Sequence, residues 1–371
     1  MIRRVTLGMM LLGCVMLSAE EGPQSSVARG VFQKRFDSAS PLASKTSLDE
    51  RLKPPANFYS SELDIGKEDF DIYVPEDYQP GKPFGLLVWI NSGDCGLTPN
   101  EWYATFKKYH IICIGGAKTG KDRTRADRIR IALAAYQNMK TLYTLDDERI
   151  YIAGFAGGAK IAAELGLAFG DVFRGGVYIC GAAPYKAATP AAQTAYETAR
   201  GRNRYVFITG QNDATYRKEV VDAYKLGYEK AGFKYSTLLD QPGMGHVNPN
   251  AEFFEKAVAF LEKPIIEQSK ADLQRATSLT KAKKYAEAMP LDRKLIIRAG
   301  DASVVNEAQI QLDALNQLLR DKTAEAQTLA DAKDAKALTL LKQTVEAFGE
   351  EATEAKSILQ KIQPGLDPRK R

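Results

Sequence analysis

The feature that most constrains this 371-residue chain lies between residues 85 and 243. Short apolar runs recur there: "GLLVWIN", "HIICIGG", "RIYIAGF", "GGVYICGA", "RYVFITG" and "STLLDQPG". A strand that is apolar at odd and even positions alike has to be covered on both faces. Helix-patterned stretches fall between and after the runs, near residues 123–143, 159–169, 216–231 and 251–261. Strands of that kind alternating with helices build an α/β fold, a mostly parallel sheet with helices on both faces. Ahead of them, "FYSSELDIGKEDFDIYVPEDY" suggests two antiparallel strands. With 44% hydrophobic residues the chain can fill the core that such a sheet requires. The formal net charge of +5 is small and dispersed, so the composition gives no case for nucleic-acid binding.

The run "RIYIAGF" leads into "AGGAKIAAELG": a strand, a glycine-rich turn, then an amphipathic helix. That is the layout of a nucleophile elbow, which in the pattern G-x-S-x-G holds a serine on a sharp strand-to-helix turn. Here it reads Gly154-Phe155-Ala156-Gly157-Gly158, with a methyl where the hydroxyl belongs. No G-x-S-x-G occurs elsewhere in the chain.

From Asp71 to about Leu261 the chain resembles α/β-hydrolases of the polyhydroxybutyrate-depolymerase and feruloyl-esterase type. The resemblance rests on "YVPEDYQPGKPFGLLVWINSGDCG", "LDDERIYIAGFAGGAK", "DVFRGGVYICGA", "FITGQND" and "PGMGHVNPNAEFFEKAVAFL", in that order. It implies an α/β-hydrolase fold and a triad in the chain order nucleophile, acid, base. Ala156 stands at the nucleophile position. Asp213, after "RYVFITG", matches the acid, with a turn carboxylate capping the following helix as the plainer role. His246, in "PGMGH", matches the base; the only other histidine, His110, begins a strand and is read as structural. An oxyanion hole would draw on backbone N–H groups of Gly157 and of Gly93 and Asp94 in "SGDCG". Ser92 and Cys95 sit in that loop as conceivable substitute nucleophiles, although such a loop is built to present N–H groups. No cofactor and no metal is expected.

The ends of the chain read differently. Residues 1–19 carry Arg3 and Arg4, an apolar run and Ala19, which is the pattern of an export signal. "LLGC" gives a second reading, a lipoprotein anchored at Cys14, the sole membrane attachment considered. Either way the protein is expected to be exported, periplasmic or secreted. Residues 20–57 read as a flexible leader, residues 58–263 as the hydrolase-like domain, residues 264–363 as a helical domain and residues 364–371 as a basic tail. In the helical part "AKKYAEAMPLDRKLIIRAGDASVVNEAQIQL" lines up with "AKDAKALTLLKQTVEAFGEEATEAKSIL", a repeat of about 50 residues that weakly resembles tetratricopeptide-type arrays. A plain helical bundle fits it equally. Cys95, Cys113 and Cys180 remain after the signal; Cys113 reads as a core residue, and a Cys95–Cys180 disulfide is one option. The run "KTGKDRTRADRIR" reads as the solvated start of a helix, with an anionic ligand as its alternative partner.

Three functions remain open on the sequence. The chain is a hydrolase-fold protein whose ester hydrolysis is lost or greatly weakened and which binds a small or polymeric ester-like ligand or a partner. It is an active carboxylic-ester hydrolase using His246 with water or a non-serine nucleophile. Or it is a scaffold whose C-terminal helices bind a protein partner. A shared fold does not choose among them.

Overall fold

A computed structural model describes residues 27–59, 62–298 and 300–366, so the signal, including Cys14, and the last five residues lie outside the described part. The first elements are strand β1 (Gly30–Arg35), helix α1 (Lys45–Leu52) and strands β2 (Asp69–Val74) and β3 (Phe84–Ile90). Helix α2 (Tyr103–Lys108), strand β4 (Ile111–Gly116), helix α3 (Arg125–Leu142) and strand β5 (Leu145–Phe155) follow. Next come α4 (Gly157–Ala168), β6 (Gly175–Ile179), α5 (Gln193–Gly201), β7 (Arg204–Gly210), α6 (Arg217–Asp222) and β8 (Tyr235–Gln241). The remainder is helical: α7 (Ala251–Lys281), α8 (Tyr285–Arg298), α9 (Ala302–Asp331), α10 (Lys336–Phe348) and α11 (Thr353–Leu366).

The strands form one sheet in the order β1-β2-β4-β3-β5-β6-β7-β8. The pairings β1–β2 and β2–β4 are antiparallel and the rest are parallel. Alternation along β3 sorts its side chains onto two cores. Leu86, Val88 and Ile90 pack with α3 and α4 residues, while Leu87 and Trp89 pack with Trp102, Phe106 and the Phe254 face of α7. Both faces of the sheet are therefore covered, as the double-sided apolar runs require.

The residues read as a flexible leader are part of this fold. Gly30–Arg35 is an edge strand paired with β2, and Phe36, Ala43 and Leu48 are buried in the core on the α3–α4 face. The segment expected to hold two antiparallel strands supplies only β2; its antiparallel partner comes from the leader. Sequence missed β1 because an edge strand with one exposed face carries no apolar run: "GVFQKR" is exposed at most positions.

Helix α7 does not stop where residue 264 was expected to begin a new unit; it continues to Lys281. Pro264 has no N–H for the carbonyl of Phe260, four residues back. Arg204, on β7, donates its Nε to that carbonyl at 2.5 Å and lays its guanidinium 4.2 Å from the centre of the Phe260 ring. The bond lost to proline is thus supplied from the sheet. Just before it, Glu262 forms a fully buried ion pair with Arg149 of β5 at 2.9 Å. Beyond α7 the turns repeat: Lys283 and Lys333 both take left-handed backbone, and Lys284 N–H bonds Leu279 O as Asp334 N–H bonds Leu329 O. Helix α11 runs to Leu366, into the segment read as tail. None of the described helices is long and apolar enough to cross a membrane.

Candidate functional site

The site forms where β5, β6 and β7 end. At the end of β5, Ala156 adopts φ 50° and ψ −115°, then α4 starts at Gly157. A non-glycine residue rarely holds such a backbone, and doing so costs about 1–3 kcal/mol. Close packing makes the turn this tight: a Cβ on Gly158 would stand 1.9 Å from the Ile90 carbonyl oxygen, so only glycine fits against the end of β3. The elbow backbone is present in full, and the side chain on it is a methyl, 7% exposed.

The sequence-expected acid and base come together. Asp213, in the loop after β7, has its side chain fully buried. Its Oδ1 accepts the N–H groups of Thr215 and Tyr216, both at 3.0 Å, so it does cap its turn. Its Oδ2 lies 2.9 Å from His246 Nδ1. Burial works to raise the Asp213 carboxyl, and the bond to His246 with the two backbone donors outweighs it, leaving the pKa below the ordinary value. An ionised Asp213 accepts a hydrogen bond from Nδ1–H, which leaves the lone pair on Nε2. The ring of His246 is held between Phe155, the elbow residue beside Ala156, at 5.1 Å and Tyr216 at 4.9 Å. Lys160, on α4, sits 4.8 Å over the Tyr216 ring and pairs with Glu219. Acid and base are thus set beside the elbow, and no attacking group stands at Ala156.

The oxyanion loop is arranged differently from the expectation. The N–H of Ser92 at 2.8 Å and of Gly93 at 3.4 Å both donate to the Asn91 side chain. The Asp94 carboxylate turns away to accept the Gly120 N–H at 2.9 Å. The Gly93 donor is therefore already occupied by its own loop, while among the described residues nothing accepts from the Gly157 N–H. Cys95 is exposed and its Sγ contacts Leu97 O at 3.8 Å, and among the described residues no hydrogen bond joins Ser92 or Cys95 to His246.

Sequence reasoning missed three neighbours. Cys180 follows β6 in left-handed backbone (φ 50°), fully buried, its Sγ 3.4 Å from Val247 O. It does not bridge to Cys95; both are free thiols, one buried and one exposed, which corrects the disulfide option. Burial, with the Asp213 charge beside it, pushes the Cys180 thiol up to about 12, so it is a protonated donor and not a thiolate. Cys180, Asp213 and His246 hold donor atoms within 4.8 Å of one another. A metal there would need the thiolate and would have to break the His246–Asp213 bond, so the set fits a metal poorly. Cys113 is buried in the core as expected, and His110, raised to left-handed backbone at the start of β4, contacts Asp77 at 3.2 Å.

The other two are Asn91 and Arg128. The run "KTGKDRTRADRIR" is not a solvated face throughout. Arg123 pairs with Glu68 at 2.6 Å, Arg125 pairs with Glu164, and Asp127 and Arg128 are buried. Only an alternation of charge was visible in the sequence; which of its members turn inward depends on where α3 meets β3.

No protein-family model and no curated protein sequence matches the chain. Among solved structures it is similar to a dipeptidyl aminopeptidase IV-like protein from Bacteroides ovatus ATCC 8483, at 16% identity and a TM-score of 0.42. That match covers 53% of this chain but only 34%, about a third, of the other. Est1E from Butyrivibrio proteoclasticus is similar at 17% identity and a TM-score of 0.39, over 53% of this chain and 93% of Est1E. The esterase Est2 from the planctomycete Thermogutta terrifontis is similar at 15% identity and 0.42, over 56% of this chain and 90% of Est2. These are likenesses at low identity, and the fold stands on the strand order itself. An eight-stranded sheet ordered β1-β2-β4-β3-β5-β6-β7-β8, with a strained elbow after β5, is an α/β-hydrolase fold carrying a C-terminal helical region.

Proposed function

We propose that this chain is an exported α/β-hydrolase-fold protein of esterase type that has lost ester hydrolysis and uses the elbow as a ligand-binding site. One observation carries the reading: Ala156 keeps the strained backbone of a nucleophile while Asp213 and His246 keep their 2.9 Å bond, so the site lacks the attacking atom and little else. A methyl neither attacks a carbonyl nor gives up a proton. What remains of a triad enzyme without its nucleophile is on the order of 10³–10⁴ over water, from binding and oxyanion contacts. Here the Gly93 N–H is also taken by Asn91, which favours the lower end. Export rests on residues 1–19, and the helices from residue 264 on are the surface for a protein partner in this reading.

The test is hydrolysis of short acyl esters by the mature protein beside its Ala156→Ser variant. The expected result is background turnover by the unaltered chain and turnover at least about tenfold higher in the variant, lost again on adding His246→Ala. Robust turnover by the unaltered chain that vanishes with His246→Ala would favour an esterase using His246 on water and overturn the reading.

A further inference from the structure

Arg128 is a buried charge that the hydrolase plan does not explain. It leaves the first turn of α3 and is 8% exposed. Its Nη2 donates to Asn91 O at 2.6 Å, and its Nε has no partner. Its Nη1 lies 3.6 Å from where a Cβ on Gly157 would stand, so the guanidinium reaches the first residue of α4. Among the described residues no carboxylate pairs with it, and burial alone holds its pKa below the ordinary value.

The surroundings make this arrangement more costly. Helix α4 has twelve residues, and its N-cap, Ala156, offers no side-chain acceptor. Its first N–H groups and its dipole present positive charge at that end. A guanidinium and a helix N-terminus therefore face one another across the elbow with no carboxylate of the described residues between them, and each raises the free energy of the other. An anion at that point stabilises both at once.

We propose that the elbow is a receptor for an organic carboxylate, with one oxygen on Arg128 Nη1 and the other on the Gly157 N–H. This rests on the reading of lost hydrolysis and specifies the ligand of that site. One guanidinium edge and one backbone donor match the two oxygens and single charge of a carboxylate. They fall short of what a phosphate dianion would need. The Ala156 methyl and the rings of Phe155 and Tyr216 give the tail apolar contact, and Val247, 55% exposed beside His246, extends that wall outward. The product side of an esterase is the acid, and this site is charged for the acid.

The experiment is calorimetric titration of the full mature chain, at fixed ionic strength, with butyrate and benzoate, with their methyl esters and with inorganic phosphate. The acids are expected to bind about tenfold or more tighter than their esters. Arg128→Gln is expected to remove that advantage and Arg128→Lys to keep part of it, with thermal unfolding checking that each variant folds. Equal affinity for acid and ester in the unaltered chain, or no heat with either acid, overturns the proposal whatever the variants do. Phosphate binding as tightly as the acids overturns the carboxylate class. Acid released from the esters is measured separately; turnover there would overturn the reading of lost hydrolysis, while the acid-to-ester ratio still decides the anion site.

Discussion

At the residue scale, the elbow shows how neighbouring backbone alone can hold a strained turn. The strain at Ala156 is fixed by its neighbours and not by its side chain. Gly158 lies against the Ile90 carbonyl, and Ala156 N–H donates to Ile179 O at 2.8 Å, so β3, α4 and β6 together hold the turn. Gly158→Ala would press a methyl into backbone oxygen at 1.9 Å, with no flexible side chain to give way. The expected loss is about 3 kcal/mol or more, at the upper end for overpacking, seen as a large drop in the urea midpoint. An unchanged midpoint would mean that the elbow is looser than described. None of these contacts involves the side chain of residue 156. The meeting of Asp213 with His246 was legible because each follows a strand end; Arg128 and Asn91 were not, because their contacts join segments distant in sequence.

At the scale of elements, proline and arginine settle where the hydrolase-like body ends. Pro264 reads as a boundary from sequence alone, and the helix continues because Arg204 fills the carbonyl that proline leaves bare. Arg204→Ala would leave the Phe260 carbonyl without that donor and remove the stacked guanidinium. The expected destabilisation is about 1–3 kcal/mol by thermal or urea unfolding. Pro264→Ala restores an N–H to that carbonyl, so the double variant is expected to recover part of the loss. Simple additivity would show that the two residues do not act on one carbonyl. The sheet strands were legible for the opposite reason: each is buried on both faces, so its apolar run is continuous. Edge strand β1 was illegible because it buries so little.

At the scale of the whole molecule, charge ties the helices to the sheet. Arg298, at the end of α8, pairs through both Nη2 and Nε with the buried Asp146 at the start of β5, at 2.7 and 2.8 Å. Burial works to raise the Asp146 carboxyl, but the bonds from Arg298 and from the Glu148 N–H outweigh it and leave the pKa lowered. A lowered acid contributes stability that is fully present above its unfolded value of about 3.9 and is lost as pH falls through the folded value. Acid below about pH 4 is therefore expected to weaken this clasp. Asp146→Asn should flatten that part of the stability–pH profile, measured by urea unfolding at each pH. An identical acid limb in the variant would count against the clasp.

The unbroken course of α7 has a mechanical side. Asn250 caps the helix in the same loop that carries His246, and 31 residues later the helix ends among the C-terminal helices. At 1.5 Å per residue that is a rod about 46 Å long. A tilt of the whole rod is opposed where Phe254, Val258 and Leu261 pack on the sheet and Glu262 pairs with Arg149, so the helix acts as a cantilever clamped over its first third.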